Sequence, residues 1–260
     1  MSVNISERIT KENCQTIERI PIQDSTPITV IASQDMNEAN SKMLKFICAA
    51  GKKLEFGDKT EEKFAWEAHV TLQLTGKVLE ECYNGKAPNY FPFGPGAVRE
   101  YQLEYFDMLK CSSFVYHYKI RLEDFRAKVE DYNGINQMQY LREGVRQSIL
   151  DELNTNRLVA VLWNPATDEG EREVPCFNWC QLRRIRGDLF RLEILYRSWD
   201  VTATWSNLAG LIKYFVDEVF EPAGGKLCEV IITGTSTHIY RHDFDYAKKV
   251  VGEQFSRRLR

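Results

Sequence analysis

The sequence predicts a single α/β domain of the α+β type, a mixed β-sheet covered by several helices. Three observations carry this. Apolar residues recur at helical spacing in several long segments and with a period of two in several shorter ones, so both element types share one chain. A chain of 260 residues with 43% hydrophobic content can bury one large core. Two alternating runs flank Arg186-Gly187-Asp188, a tight turn that makes them a hairpin.

Residues 1–26 are polar, rich in Asn, Ser, Thr and Glu, and are expected to form an extended arm ahead of a domain spanning 27–260. Ile28 to Ala32 is a short buried-strand candidate. Asn37 to Gly51 is a helix whose Met43, Leu44, Phe46, Ile47 and Ala50 make one face, stopped by Gly51. Phe64 to Leu74 alternates as a strand of the central sheet, with His69 a strand residue carrying no chemistry. Two prolines and two glycines make Asn89 to Gly96 a loop. The spacing of Val98, Tyr101, Leu103, Tyr105, Phe106 and Leu109 predicts an amphipathic helix over 97–110 that carries Glu100 and Glu104.

A second such helix runs from Asn136 to Leu153, followed by a strand from Leu158 to Trp163 that Asn164-Pro165 closes. The hairpin pairs 177–185 with 189–196, returning the chain so that Arg197 lies near Cys176. Leu208 to Val219 is helical, Pro222 and Gly224-Gly225 turn the chain into a strand over 227–233, and 238–255 ends in a helix.

The chemistry gathers between Val174 and Asn207. A thiol ordinarily titrates near ~8.5, and a neighbouring guanidinium favours the nucleophilic thiolate. Arg197 is therefore expected to activate Cys176, to bind an anionic substrate group, or both. The bland alternative is a small buried cysteine and a surface arginine.

Pro175-Cys176, Arg197-Ser198-Trp199-Asp200, Asn207 and His238-x-Tyr240 occur in that order, with Trp163-Asn164-Pro165 upstream. This constellation resembles the thymidylate synthase and pyrimidine nucleotide hydroxymethylase family, in a short form like the archaeal proteins, from about Phe114 to Val251. The resemblance implies a thymidylate synthase-like fold and folate-dependent one-carbon transfer to carbon 5 of a pyrimidine nucleotide. Cys176 would add to ring carbon 6, with 5,10-methylenetetrahydrofolate as the one-carbon donor. Methylation is the favoured outcome and 5-hydroxymethylation the alternative.

Further roles follow residue by residue. Glu104 resembles the glutamate that relays protons to the pyrimidine, and Tyr118 the tyrosine near ring carbon 5. Asp200 matches the folate contact, and Arg197 with Ser198 the phosphate clamp. His238 and Tyr240 match the pair at the sugar hydroxyl, and Asn207 the residue that reads the ring. An amide both accepts from a ring NH and donates to a carbonyl, as uracil requires. Arg157 matches an arginine reaching a partner subunit's phosphate across a sheet-mediated homodimer.

Departures accompany these matches. The upstream phosphate loop reads Leu54 to Lys59 with no arginine, Asn156 replaces the first of two adjacent arginines, and Lys119 stands for a glycine. They keep open a noncatalytic synthase-like subunit. A zinc site from Cys176, Cys180, His238 and His242 is a further alternative. Trp199, Trp205 and Trp179 are candidates to shield the site from water.

A net charge of −3 offers no overall basic field for DNA. Seven cysteines without a disulfide framework, no signal-peptide pattern and no stretch of about twenty apolar residues predict a cytoplasmic protein without membrane partners.

Overall fold

A computed structural model describes residues 25–55, 64–106, 117–126, 134–171 and 173–252, with the backbone alone at 104–106. The predicted polar arm, except for its last two positions, and Lys59 therefore lie outside the described residues.

Among the described residues the sheet has eight strands. β1 (Ile28–Ser33) lies at one edge beside β3 (Phe64–Thr75), which also pairs with the short β2 (Lys52–Glu55). β3 runs antiparallel to the long β8 (Lys226–Tyr240), and β8 runs parallel to β6 (Leu189–Tyr196). β5 (Phe177–Arg186) and β4 (Val159–Val161) complete the order, and β7 (Trp199–Asp200) adds a short parallel pairing to β8. Parallel and antiparallel neighbours coexist, so the sheet is mixed, as predicted.

Alternation decides which face is covered. Val70, Leu72 and Leu74 of β3 and Phe190, Leu192 and Ile194 of β6 point into the core. Their neighbours His69, Thr71, Gln73, Arg191, Glu193 and Leu195 make a half-exposed opposite face. There Thr71 and Thr233 bond at 3.2 Å, Gln73 bonds Glu229, and Arg191 pairs with Glu193 and Glu229.

The core side is covered by α1 (Met36–Ala50), α2 (Lys77–Tyr83), α5 (Gln137–Leu150) and α7 (Thr204–Phe215), with α9 (Phe244–Val251) against α1. α1 starts at Asp35, whose carboxylate caps the Glu38 N–H at 2.9 Å, and stops at Gly51 as predicted. The hairpin turn is the two-residue Gly187-Asp188, with Gly187 at φ 52°, a left-handed conformation suited to tight hairpins.

Several elements depart from the sequence reading. The predicted helix over 97–110 is α3 (Ala97–Glu100) continuing into a π-helical turn, Tyr101–Phe106, and its remainder lies outside the described residues. α7 begins at Thr204, four residues before its predicted start, because Trp205 with Leu208, Ala209 and Ile212 already forms the buried stripe. It passes into a second π turn, Val216–Phe220. β8 runs on to Tyr240, well past the predicted end at Thr233, so His238 and Tyr240 are strand residues. The short helices α4 (Tyr118–Glu123), α6 (Pro165–Asp168) and α8 (Glu221–Ala223) were not anticipated, nor were α2, β2 and β7.

Candidate active site

Two irregularities open the sheet where Cys176 sits. β6 pairs with β8 up to Tyr196 opposite Gly234, and β7 resumes with Trp199 opposite Thr237. Arg197-Ser198 steps out of the sheet between them. On the other side of β8, one extra residue lies between Gly234 and Thr237 relative to β3, a bulge that bends the strand. Gly234 permits this junction, since a Cβ there would lie 2.7 Å from the Trp199 ring.

The stepped-out Arg197 holds the nucleophile's loop. Its backbone N–H donates to the Cys176 carbonyl at 2.9 Å. Its guanidinium donates to the carbonyls of Pro175 at 3.0 Å and Val174 at 2.8 Å, and Nη2 lies 3.9 Å from Cys176 Sγ. The hairpin thus brings Arg197 to Cys176 as the sequence predicted. Most of the guanidinium's described bonding, however, goes to main-chain oxygens.

Cys176 is half-buried on the wall of a cavity of about 320 Å³. Tyr118, Ser198, Asp200, Asn207, His238 and Tyr240 line the same cavity. A second cavity, about 520 Å³ between α2, α7 and the start of β8, contains none of them.

His238 is 4% exposed. Its Nδ1 lies 3.0 Å from the Ser236 carbonyl, which can only accept, so Nδ1 carries a hydrogen, and in the neutral ring Nε2 is the acceptor. Nε2 is buried without a hydrogen-bond partner among the described residues. Tyr240 packs edge-on against His238 at 4.6 Å, and burial, then the charges of Asp200 and Cys176, push its phenol up.

Asp200 Oδ1 accepts from the Thr202 N–H at 2.9 Å and the Thr202 hydroxyl at 2.7 Å. That hydroxyl also lies 3.2 Å from Asp243 Oδ2. Burial and then the Asp200 charge raise the Asp243 carboxyl above its ordinary range. Asn207 stands on the first turn of α7, where Tyr101 donates to Oδ1 at 2.6 Å and Nδ2 donates to the Ala203 carbonyl at 3.1 Å.

No protein-family model matches the chain. Among curated proteins it is similar to one of Methanocaldococcus jannaschii, provisionally named a thymidylate synthase, at 32% identity over 209 residues, covering 76% of this chain and 84% of that one. A Methanopyrus kandleri protein of the same provisional name is 31% identical over 157 residues, 60% of this chain and 69% of its own. One from Methanosarcina barkeri is 28% identical over 175 residues, 67% and 75% of the two chains. The chain belongs to the thymidylate synthase family.

Most of the landmarks matched to thymidylate synthases meet at this one cavity. Tyr118, the first residue of α4, lies on its wall and packs edge-on against Phe177 at 5.5 Å. Lys119 lines it as well, 5.6 Å from the Tyr214 ring centre. Arg157 is exposed ahead of β4 and is not part of this cavity's wall in the single chain. The backbone of Glu104 runs through the π turn, and its side chain lies outside the described residues.

The tryptophans divide. Trp199 lines the cavity, stacked on Tyr196 at 5.9 Å and 13°. Trp205 instead is wholly buried, donating to Asn40 Oδ1 at 3.0 Å, and Trp179 is a half-buried β5 residue off the cavity wall.

The zinc alternative does not survive. Cys180 points into the core, where burial pushes its thiol up to about 12, and His242 Nε2 lies 3.2 Å from Asp243. Among the described residues no three His, Cys, Asp or Glu groups could hold a metal. Nor is any described helix long and apolar enough to cross a membrane.

Sequence reasoning missed Tyr101, Tyr196, Ala203 and Asp243. Tyr196 was legible as an inward strand residue. Ala203 acts locally, four residues before Asn207, whereas Tyr101 and Asp243 join the site through contacts between segments distant in the chain.

Proposed function

We propose that the chain transfers a one-carbon unit from a folate to carbon 5 of a uracil nucleotide, with Cys176 as the covalent nucleophile. The observation that supports this best is the 3.9 Å approach of the Arg197 guanidinium to Cys176 Sγ, at a cavity whose wall also carries His238, Asn207 and Asp200. Those side chains combine a nucleophile, a buried unsatisfied acceptor, an amide and a carboxylate, a set suited to a polar ring with a sugar.

The Cys176 thiolate adds to ring carbon 6 of the bound nucleotide, and the ring double-bond electrons pass to the carbon 4 carbonyl as an enolate, making carbon 5 nucleophilic; after carbon 5 takes up the one-carbon unit it loses its proton, and the thiolate finally leaves carbon 6 to restore the ring double bond. His238 Nε2 accepts from a sugar hydroxyl, relieving its buried lone pair. Tyr118, on the cavity wall, takes the role of the tyrosine beside ring carbon 5. Arg197, Ser198 and, from a partner subunit, Arg157 hold the phosphate. Tyr196, Trp199 and Asp200 are the lining residues that would hold the folate, Asp200 as an acceptor for its N–H groups. When bound it supplies the methylene unit, and in methylation the hydride. The half-exposed sheet face supports a homodimer joined through it.

The test offers dUMP, UMP, dCMP and CMP, tritiated at carbon 5, with methylenetetrahydrofolate. A methylated uracil product with dihydrofolate is expected. A hydroxymethylated product reassigns the fate of the methylene, and neither tritium release nor product with any of the four refutes the proposal.

A further inference from the structure

We infer that Tyr101 sets the base specificity of the cavity, by locking the Asn207 carboxamide in the orientation that suits uracil and disfavours cytosine. This rests on the nucleotide reading above.

The carboxamide's orientation follows from its partners. The Ala203 carbonyl can only accept, so the atom 3.1 Å from it is the donor Nδ2. The Tyr101 hydroxyl, 2.6 Å from the other end, therefore donates to Oδ1. After these bonds the amide retains one oxygen lone pair and one N–H for a ligand. That pair accepts from a ring N–H and donates to a ring carbonyl, which is the edge of uracil. Cytosine presents the reverse, a bare ring nitrogen beside an amino group. Reading it requires the amide to turn over, which sets Oδ1 against the Ala203 carbonyl oxygen and removes the acceptor Tyr101 donates to.

Tyr101 can act as a lock because its own segment is pinned. Gln102, next on the π turn and 5% exposed, shares the two hydrogens of Nε2 among the carbonyls of Cys82 at 2.9 Å, Tyr83 at 3.1 Å and Ala209 at 2.9 Å. The π turn is thereby tied to α2 and to α7, the helix that carries Asn207. A π turn advances residues out of ordinary α register and is often found at functional sites. Here it delivers a phenol and an amide at adjacent positions to two different tasks. Tyr101 is thus a positioning residue, acting on the base through Asn207.

Two measurements test this on the full chain. Calorimetric titration with dUMP and with dCMP compares the wild type with Tyr101→Phe, which removes one oxygen. We expect the wild type to prefer dUMP and the variant to narrow that preference about 3- to 10-fold, the worth of one hydrogen bond. Equal weakening of both nucleotides with an unchanged ratio overturns the lock, because a merely structural tyrosine would act so. Binding of neither nucleotide by the wild type overturns the nucleotide reading and the lock with it. The second measurement needs no nucleotide: the Asn207 side-chain amide resonances, assigned by their loss in Asn207→Ala, should shift in Tyr101→Phe and exchange faster with water. Unmoved resonances overturn the lock alone and leave the nucleotide reading standing.

Discussion

Replacing Asp168 by Asn should loosen the wall that carries Tyr118 and do so in a pH-dependent way. Asp168 is 3% exposed and closes α6. It accepts from Arg121 Nη1 at 2.8 Å and Nη2 at 2.7 Å, from the Asn164 N–H at 2.8 Å and from the Thr167 hydroxyl at 3.1 Å. Burial raises its carboxyl, but Arg121, Asn164 and Thr167 together outweigh this and hold it below the usual carboxylate range. Asparagine keeps the shape, loses the charge and turns an amino group toward a neighbouring donor. Breaking a buried pair costs about 3–5 kcal/mol, and Arg121 remains 21% exposed, so about 2–4 kcal/mol is expected. For a chain of this size that lowers Tm by about 4–16 °C.

The sign with pH follows from the lowered pKa. The Asp168 contribution is fully present above the unfolded value of about 3.9 and is lost as pH falls through the folded one. Urea unfolding at fixed protein concentration should therefore show a constant gap between wild type and Asp168→Asn from about pH 5 to 7 that shrinks below about pH 4. A gap under about 0.5 kcal/mol at pH 7, within the ordinary range for surface changes, or one that persists undiminished at low pH, refutes the argument.

Three further outcomes are expected. Cys176→Ala should abolish tritium release while the circular dichroism spectrum and Tm stay near those of the wild type; retained turnover would remove the covalent mechanism. Asn207→Asp should raise the dCMP to dUMP binding ratio while weakening binding about tenfold or more, because the second carboxylate oxygen faces the Ala203 carbonyl. An unchanged ratio in competition binding would mean that Asn207 does not read the ring. Arg157→Ala and Cys176→Ala subunits, each inactive, should regain activity when mixed and refolded, since one mixed site has both intact residues. Failure of the mixture, with dimers present by light scattering, would rule out donation of Arg157 across the interface.

What could be read from the sequence was what neighbours in the chain determine. The hairpin carried its own signals in alternation and in Gly187-Asp188, and it fixed the meeting of Cys176 with Arg197, 21 residues apart. β8 was cut short at Thr233 because Gly234-Thr235-Ser236 breaks the apolar alternation, and the residues beyond it, Thr237 and His238, are polar yet almost wholly buried. Trp205 was misplaced as a shield because its partner Asn40 lies 165 residues away, so nothing nearby marks its indole as satisfied. The Tyr101 to Asn207 bond spans 106 residues and is set by how α7 packs on the π turn. Periodicity reports the face a residue takes on its own element and is silent about which other element arrives there.

The irregularities of the sheet and the chemistry of the site have one cause. An interrupted ladder leaves backbone donors and acceptors that must find other partners. Where Arg197-Ser198 leaves the sheet, the Arg197 N–H takes the Cys176 carbonyl at 2.9 Å, and the Arg197 carbonyl accepts from the Thr235 hydroxyl at 2.9 Å. Thr235 lies in the β8 bulge, so the bulge supplies a donor that the break requires. The bond that repairs the break is also the one that fixes Cys176, and the residue stepping out is the arginine whose side chain reaches Sγ. A straight β6 would have kept Arg197 in the ladder, away from the loop that carries Cys176.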